Sequence, residues 1–214
     1  MDFLNTNIAD YVDQHTESEP QLLYRLNRKT HLEVMNPRMI AGHFQGRLLS
    51  MLSNMIKPKT ILEVGTYTGY SAICFAEGLA ENGEIHTIDN NEELEPIQTE
   101  FFKKAGILDT VKRYVGDALE IIPKINQEFD VVFLDADKAN YCNYFEMTLP
   151  KLKTGGYLLA DNVLWSGKIL EENPKKDDID TIGLKRFNKM VQDDPRVQNI
   201  LLPIRDGLMV CRKL

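Results

Sequence analysis

The chain has 214 residues, 43% of them apolar, enough to bury one sizeable core, and no shift in composition marks a second domain. A formal net charge of −7 supplies no general basic field for nucleic acid or an anionic membrane, so small molecules are the expected partners. Three widely spaced cysteines, Cys74, Cys142 and Cys211, include no C-x-x-C pair and read as reduced core thiols; with no basic apolar leader and no run of ~20 apolar residues, a soluble cytoplasmic protein is expected.

Residues 1–56 read as helical, because apolar positions recur at three and four: Ile8, Tyr11 and Val12, then Leu22, Leu23 and Leu26, then Phe44, Leu48, Leu49 and Leu52. From Lys59 onward short apolar runs alternate with helix-length stretches: Thr60 to Val64, Glu84 to Ile88, Thr110 to Val115, Phe129 to Leu134 and Tyr157 to Ala160. Such alternation describes a parallel sheet covered on both faces. Between Asn162 and the last helix, residues 163–180 read as a long polar loop with a helical cap around Trp165, suited to a lid or substrate wall. The final runs, Val197 to Leu202 and Gly207 to Cys211, are joined only by Pro203-Ile204-Arg205-Asp206, which suits a hairpin and not a parallel crossover. The expected fold is α/β: a Rossmann-like class I methyltransferase sheet of seven mostly parallel strands with an antiparallel last strand, helices on both faces, and a helical N-terminal extension. Residues 1–214 form a single domain in this reading, with the extension over 1–56 and the core over 57–214.

Ile61-Leu62-Glu63-Val64-Gly65-Thr66-Tyr67-Thr68-Gly69-Tyr70-Ser71 reads as a strand, a glycine turn and a helix start, a turn that lets a ligand approach backbone that a Cβ would block. Tyr67 and Tyr70 stand where a dinucleotide fingerprint starting at Gly65 needs glycine, which argues against pyrophosphate. S-adenosylmethionine, with a sulfonium, an amine and a carboxylate, fits better. Ser71 is placed to hold the carboxylate, and Glu63 and Asp135 to supply negative charge near the cationic end. Asp89, ending the second strand, can accept both ribose hydroxyl protons, and Gly116-Asp117-Ala118 after the third strand can border the adenine. Gly65, Thr66, Tyr67 and Asn90 complete the expected contacts.

Two strand ends carry the chemistry. Phe129 to Leu134 stops on Asp135, and Tyr157 to Ala160 stops on Asp161 and Asn162, which is how buried parallel strands deliver ligands to the carboxyl edge of a sheet. If the strands are neighbours, about 4.8 Å apart, Asp135, Asp161 and Asn162 can converge on one hard cation that Lys138 overlooks. The plainer alternative makes Lys138 a helix-start lysine paired with Asp135 or Asp137. Asp137 is expected to be a supporting or helix-capping carboxylate and not a ligand, because alternate strand-end positions point apart. Trp165 is either core or the wall of an aromatic substrate site. His15, His31, His43 and His86 lack ligand spacing and read as surface or core histidines.

The stretches Leu62 to Ser71, Leu134-Asp135-Ala136-Asp137-Lys138-Ala139-Asn140-Tyr141 and Ala160-Asp161-Asn162-Val163-Leu164-Trp165 resemble the cation-dependent O-methyltransferases that include catechol and caffeoyl-CoA O-methyltransferases. The resemblance implies that Asp135, Asp161 and Asn162 hold a divalent metal, that Lys138 is the base, and that Met39 and Ala41 border the methionine part of the cofactor. Two carboxylates and an amide oxygen suit Mg²⁺, or another divalent cation such as Mn²⁺ or Ca²⁺, with positions left for two adjacent ring hydroxyls. For Lys138 to accept a proton it must be neutral part of the time, and a nearby dication lowers its pKa in that direction.

Where plant-type members carry an acidic Pro-Asp-Glu-Gly-Gln stretch this chain has Gly42-His43-Phe44-Gln45-Gly46; it has Arg205-Asp206-Gly207 for the usual Gly-Asp-Gly turn, and Ile200 where the animal catechol enzyme supplies a glutamate. The favoured acceptor is therefore a small free catechol-like phenol, bound by Lys138, Asn162 and Trp165, and a CoA thioester is not a safe assignment. Two alternatives remain: a hydroxyuridine O-methyltransferase of transfer RNA, for which Lys151, Lys153, Lys168, Lys175 and Lys176 lie near the acceptor face, and a non-catalytic cofactor-binding protein. The resemblance also implies a homodimer.

Overall fold

A computed structural model describes residues 6–214, so the first five residues of the predicted helical extension lie outside the described residues. Two compact parts, residues 7–117 and 118–214, each combine helices with strands. In the first, α1 (Thr6–Gln14), α2 (Gln21–Glu33) and α3 (His43–Ile56) precede β1 (Thr60–Val64), α4 (Tyr70–Ala76), β2 (Glu84–Asp89), α5 (Glu95–Lys104) and β3 (Val111–Val115). The strands pair in parallel with β2 in the middle. Every residue of β1 is buried, as a parallel strand covered on both faces must be, whereas only Val111 of the edge strand β3 is.

The helical extension is held to this part by polar clamps as well as by its apolar stripe. Arg47 of α3 donates from both terminal guanidinium nitrogens to Glu77, at 2.8 and 2.9 Å, and Ser50 Oγ donates to the same carboxylate at 2.5 Å. The fork matches the carboxylate geometry and fixes α3 against the end of α4. Close approach there depends on Gly78, where an added Cβ would lie 2.2 Å from the Asn54 nitrogen. The segment after α1 is fastened by His43, whose Nδ1 is 2.9 Å from Asp13 Oδ1 and whose Nε2 is 2.6 Å from the Glu17 carbonyl. Both neighbours are acceptors, so only the imidazolium, with two N–H groups, satisfies both. Tyr70 adds a hydroxyl bond to Glu19 at 2.6 Å.

The second part contains α6 (Ala118–Ile121), β4 (Phe129–Leu134), α7 (Tyr141–Thr148), β5 (Leu152–Asp161), α8 (Ile179–Asp193), β6 (Val197–Leu202) and β7 (Leu208–Lys213). β4 and β5 are parallel neighbours, and β7 runs antiparallel to both β5 and β6, so the short link after β6 is the predicted hairpin. The strand orders are β3-β2-β1 in the first part and β4-β5-β7-β6 in the second, seven strands with β7 antiparallel to both of its neighbours, as the expected mixed sheet requires. Phe129, Phe133, Phe145 and Phe187 are fully buried in this part.

Sequence patterning mistook some strand bounds. β5 begins at Leu152, five residues before the expected start, because Lys153-Thr154-Gly155-Gly156 stays in the sheet around a register shift opposite Asp130. Glycine weakens the strand signal, yet Gly156 is needed there: a Cβ would come 2.9 Å from the Asp130 carbonyl. β7 starts at Leu208 and runs to Lys213, since Gly207 takes a positive φ of 89° in the turn and Val197 pairs with Lys213. The loop after β5 holds a 3-10 segment, Trp165–Leu170, broken at Ser166 and Gly167. The three cysteines are free and buried; burial raises the pKa of each thiol, Cys211 to about 12. No helix among the described residues is long and apolar enough to cross a membrane.

Gly78→Ala is expected to lower stability by about 1–3 kcal/mol in urea titration, because the obstacle is backbone and not a movable side chain; an unchanged midpoint would show slack at that contact. For His43, burial works against the charged ring, but the Glu17 carbonyl and the Asp13 carboxylate more than offset it and the pKa is raised. A raised folded value means the clamp contributes fully below the unfolded value of 6.5 and is lost as pH climbs through the folded one. Hydrogen exchange corrected for intrinsic rates should show α1 loosening over that rise by less than about 1 kcal/mol, Asp13 being exposed; the same pH response in His43→Gln would rule the clamp out.

Candidate active site

In residues 7–117 the chain leaves β1 through Gly65, at φ 104°, and the Gly65 and Thr66 amides both donate to the Ile88 carbonyl of β2, at 2.9 and 3.2 Å. Tyr67 then takes a left-handed φ of 48°. Its amide donates to Asp89 Oδ2 at 2.6 Å, and its carbonyl accepts from Gln98 Nε2 at 2.8 Å. The other Asp89 oxygen accepts from the Asn91 amide at 2.9 Å. Two backbone amides therefore aim this carboxylate before any ligand arrives, the position expected to meet the ribose.

Glu63, within β1, is fully buried at 0% exposure. Ser71 Oγ donates to its Oε1 at 2.6 Å and Thr87 Oγ1 to its Oε2 at 2.5 Å. Ser71, expected to hold a cofactor carboxylate, donates its one proton to Glu63 instead, so a carboxylate, itself an acceptor, would have to compete with Glu63 for it, while an amine could donate to its lone pairs. Thr87 escaped the sequence reading, although it is the direct cross-strand partner of Glu63. Gln98 escaped it as well, since a glutamine inside a helix carries no local signal. Of the other expected contacts, Ala41 and Ala118 are buried, while Met39, Asn90 and Asp117 are exposed.

In residues 118–214 the β4–β5 register pairs Leu134 with Ala160, so Asp135 and Asp161 follow side by side where the ladder ends. Asp161 is only 4% exposed. Asn162 turns the chain at φ 60°, and the Trp165 amide donates to its carbonyl at 3.0 Å. Lys138, at 7% exposure, donates from Nζ to Asp135 Oδ1 and to the Tyr141 hydroxyl, each at 2.9 Å. Burial acts to lower the Lys138 pKa, but Tyr141 and Asp135 more than offset it and the ammonium is held charged. Asp137 makes no capping bond to backbone; it accepts from Asn140 Nδ2 at 2.6 Å and from the Tyr144 hydroxyl. Trp165 is half-buried, and its indole N–H has no hydrogen-bond partner among the described residues.

Among the described residues no three His, Cys, Asp or Glu side chains gather as a metal-binding group. The expected set contains only two such residues, its third oxygen being the amide of Asn162. Two hard carboxylates and an amide carbonyl on neighbouring strand ends are the donor chemistry that oxygen-seeking divalent cations take. Tyr141 was within the recognised stretch but without a role; its spacing of three from Lys138 on a helical turn was the available signal.

The O-methyltransferase family matches residues 13–214. A caffeoyl-CoA O-methyltransferase of Zinnia elegans is 33% identical over 206 residues, spanning 92% of this chain and 84% of that protein. Among solved structures, the Bacillus cereus O-methyltransferase in complex with SAH superposes with a TM-score of 0.89 at 26% identity and 97% coverage of each chain. The SAH-bound methyltransferase PaMTH1 of Podospora anserina gives 0.88 at 28% identity, covering 98% of this chain and 94% of that one.

Asp135→Asn would remove the carboxylate that pairs directly with the buried Lys138 ammonium. A loss of about 1–3 kcal/mol is expected in urea titration, less than for a fully buried pair because Asp135 is partly open to water; an unaltered midpoint would show that the pair adds nothing to stability.

Proposed function

This chain belongs to the O-methyltransferase family, and from that premise we propose that it moves a methyl group from S-adenosylmethionine to a hydroxyl of a catechol-like phenol with the help of Mg²⁺ or another divalent cation. The observation that carries this reading is the register of β4 on β5, which sets Asp135 beside Asp161 with Lys138 paired to the first. Likeness to SAH-bound structures supports the choice of cofactor.

Each residue then has a task. Glu63, oriented by Ser71 and Thr87, supplies negative charge near the amine and sulfonium end of the cofactor, and Asp89 accepts from its ribose hydroxyls. Met39, Ala41, Gly65, Thr66, Tyr67, Asn90, Asp117 and Ala118 shape the rest of that site. Asp135, Asp161 and Asn162 hold the cation. When bound, it lowers the pKa of an acceptor hydroxyl and offsets the pull of Asp135 on Lys138. Lys138, once it has released its own ammonium proton to solvent, would take the acceptor's proton, and the oxyanion would then accept the methyl as its bond to sulfur breaks, leaving S-adenosylhomocysteine. Trp165 walls the aromatic ring. The same reading makes residues 1–214 one catalytic domain in a cytoplasmic homodimer, joined through N-terminal helices whose Leu32, Met51 and Met55 side chains are exposed. The structure gives the transfer RNA alternative little support: Lys151 donates to the Ile125 carbonyl, and Lys153 and Lys168 pair with Asp130 and Asp178.

The test is transfer from methyl-labelled cofactor to a panel of catechols, with a transfer RNA arm. Label on a phenol, lost on chelation, is the expected result, and Asp161→Ala should lower turnover by at least about 100-fold while calorimetry still detects cofactor binding. Label confined to RNA, no label at all, or full activity in Asp161→Ala would overturn the assignment.

A further inference from the structure

We propose that Tyr141 is a positioning residue whose hydroxyl locks the ends of β4 and β5 together and so sets the spacing of the oxygens that face the cation. The proposal rests on the function just described. Tyr141 is the first residue of α7, and its side chain is fully buried. Its hydroxyl oxygen lies 3.1 Å from the Leu134 carbonyl and 3.0 Å from the Asp161 carbonyl, and it accepts from Lys138 Nζ at 2.9 Å. A hydroxyl has one proton and two lone pairs. Here the proton serves two carbonyl oxygens and a lone pair serves the ammonium.

The identity of those carbonyls matters. The Leu134 carbonyl belongs to the peptide that leads into Asp135, and the Asp161 carbonyl to the peptide that joins Asp161 to Asn162. One hydroxyl therefore touches the main chain next to all three proposed ligands, at the point where the ladder after Leu134 and Ala160 no longer sets the spacing. The same oxygen holds Lys138 over Asp135. The ring cannot easily drift, because Phe187 of α8 meets it edge-on, with centroids 5.4 Å apart at 83°. Gly183 of the same helix lies so close that a Cβ would come 2.7 Å from the Lys138 carbonyl. Phenylalanine could fill the volume of this ring; it could not make the three polar contacts.

The experiment uses the full chain and Mg²⁺ as the probe. Tyr141→Phe should keep the circular dichroism and cofactor affinity of the wild type. Calorimetry should show Mg²⁺ affinity lowered by about 10–100-fold, and kcat should fall while the acceptor KM stays within about threefold. Mg²⁺ affinity and kcat both equal to wild type would overturn the proposal. Should Tyr141→Phe fail to fold, a fluorinated tyrosine at position 141 alters the hydroxyl and keeps the ring. It is expected to change Mg²⁺ affinity by at least about threefold, and no change would overturn the proposal equally. Wild-type protein that binds no Mg²⁺ would defeat both this inference and the metal-assisted function; a wild type that binds and transfers while its Tyr141 variants match it defeats this inference alone.

Discussion

Parallel pairing of β4 with β5 decides what the acidic edge can be, because Leu134 opposite Ala160 brings Asp135, just past the end of β4, level with Asp161, the last residue of β5. Backbone hydrogen bonding sets strand spacing near 4.8 Å, and two carboxylates that close repel unless positive charge stands beside them. Lys138 supplies such a charge to Asp135. The chemistry proposed for the site and the stability of the fold around it thus draw on the same few atoms.

A lysine that is only 7% exposed loses most of its hydration. Its burial is sustained by a carboxylate on one side and a hydroxyl on the other, both at 2.9 Å. Pairing of this kind keeps the ammonium charged, which is the opposite of what a base requires. The conflict resolves if the carboxylate has two employments, with the lysine in one state and a cation in the other. Burial then has a functional sense, since a lysine in water would respond far less to the exchange.

The part proposed to hold the cofactor follows another physical rule, that of polar groups aimed in advance. Asp89 is held by two backbone amides, so it is aimed before a hydroxylated ligand arrives, while Glu63, held by two hydroxyls and fully buried, contributes its charge through the field and not by contact. The orientation comes at the cost of a left-handed Tyr67, whose carbonyl is secured from α5 by Gln98.

Amino-acid order alone was enough for the alternation of buried runs and helices, for the hairpin across Pro203 to Asp206, and for the acidic ends at Asp89, Asp135 and Asp161. These are local properties: burial on both faces makes a strand continuously apolar, and the first polar residue after it marks the edge of the sheet. The glycine-containing start of β5 was hidden because Gly155 and Gly156 mimic a turn while answering a bulge opposite Asp130. Thr87, Gln98 and Tyr141 were hidden for a deeper reason. Each acts on atoms distant in the chain, Thr87 across a strand pair, Gln98 from α5, and Tyr141 on two strand ends at once. Sequence determined which oxygens and which lysine this protein has at its sheet edge; only the tertiary structure, through strand register and a buried hydroxyl, decided how those groups face one another.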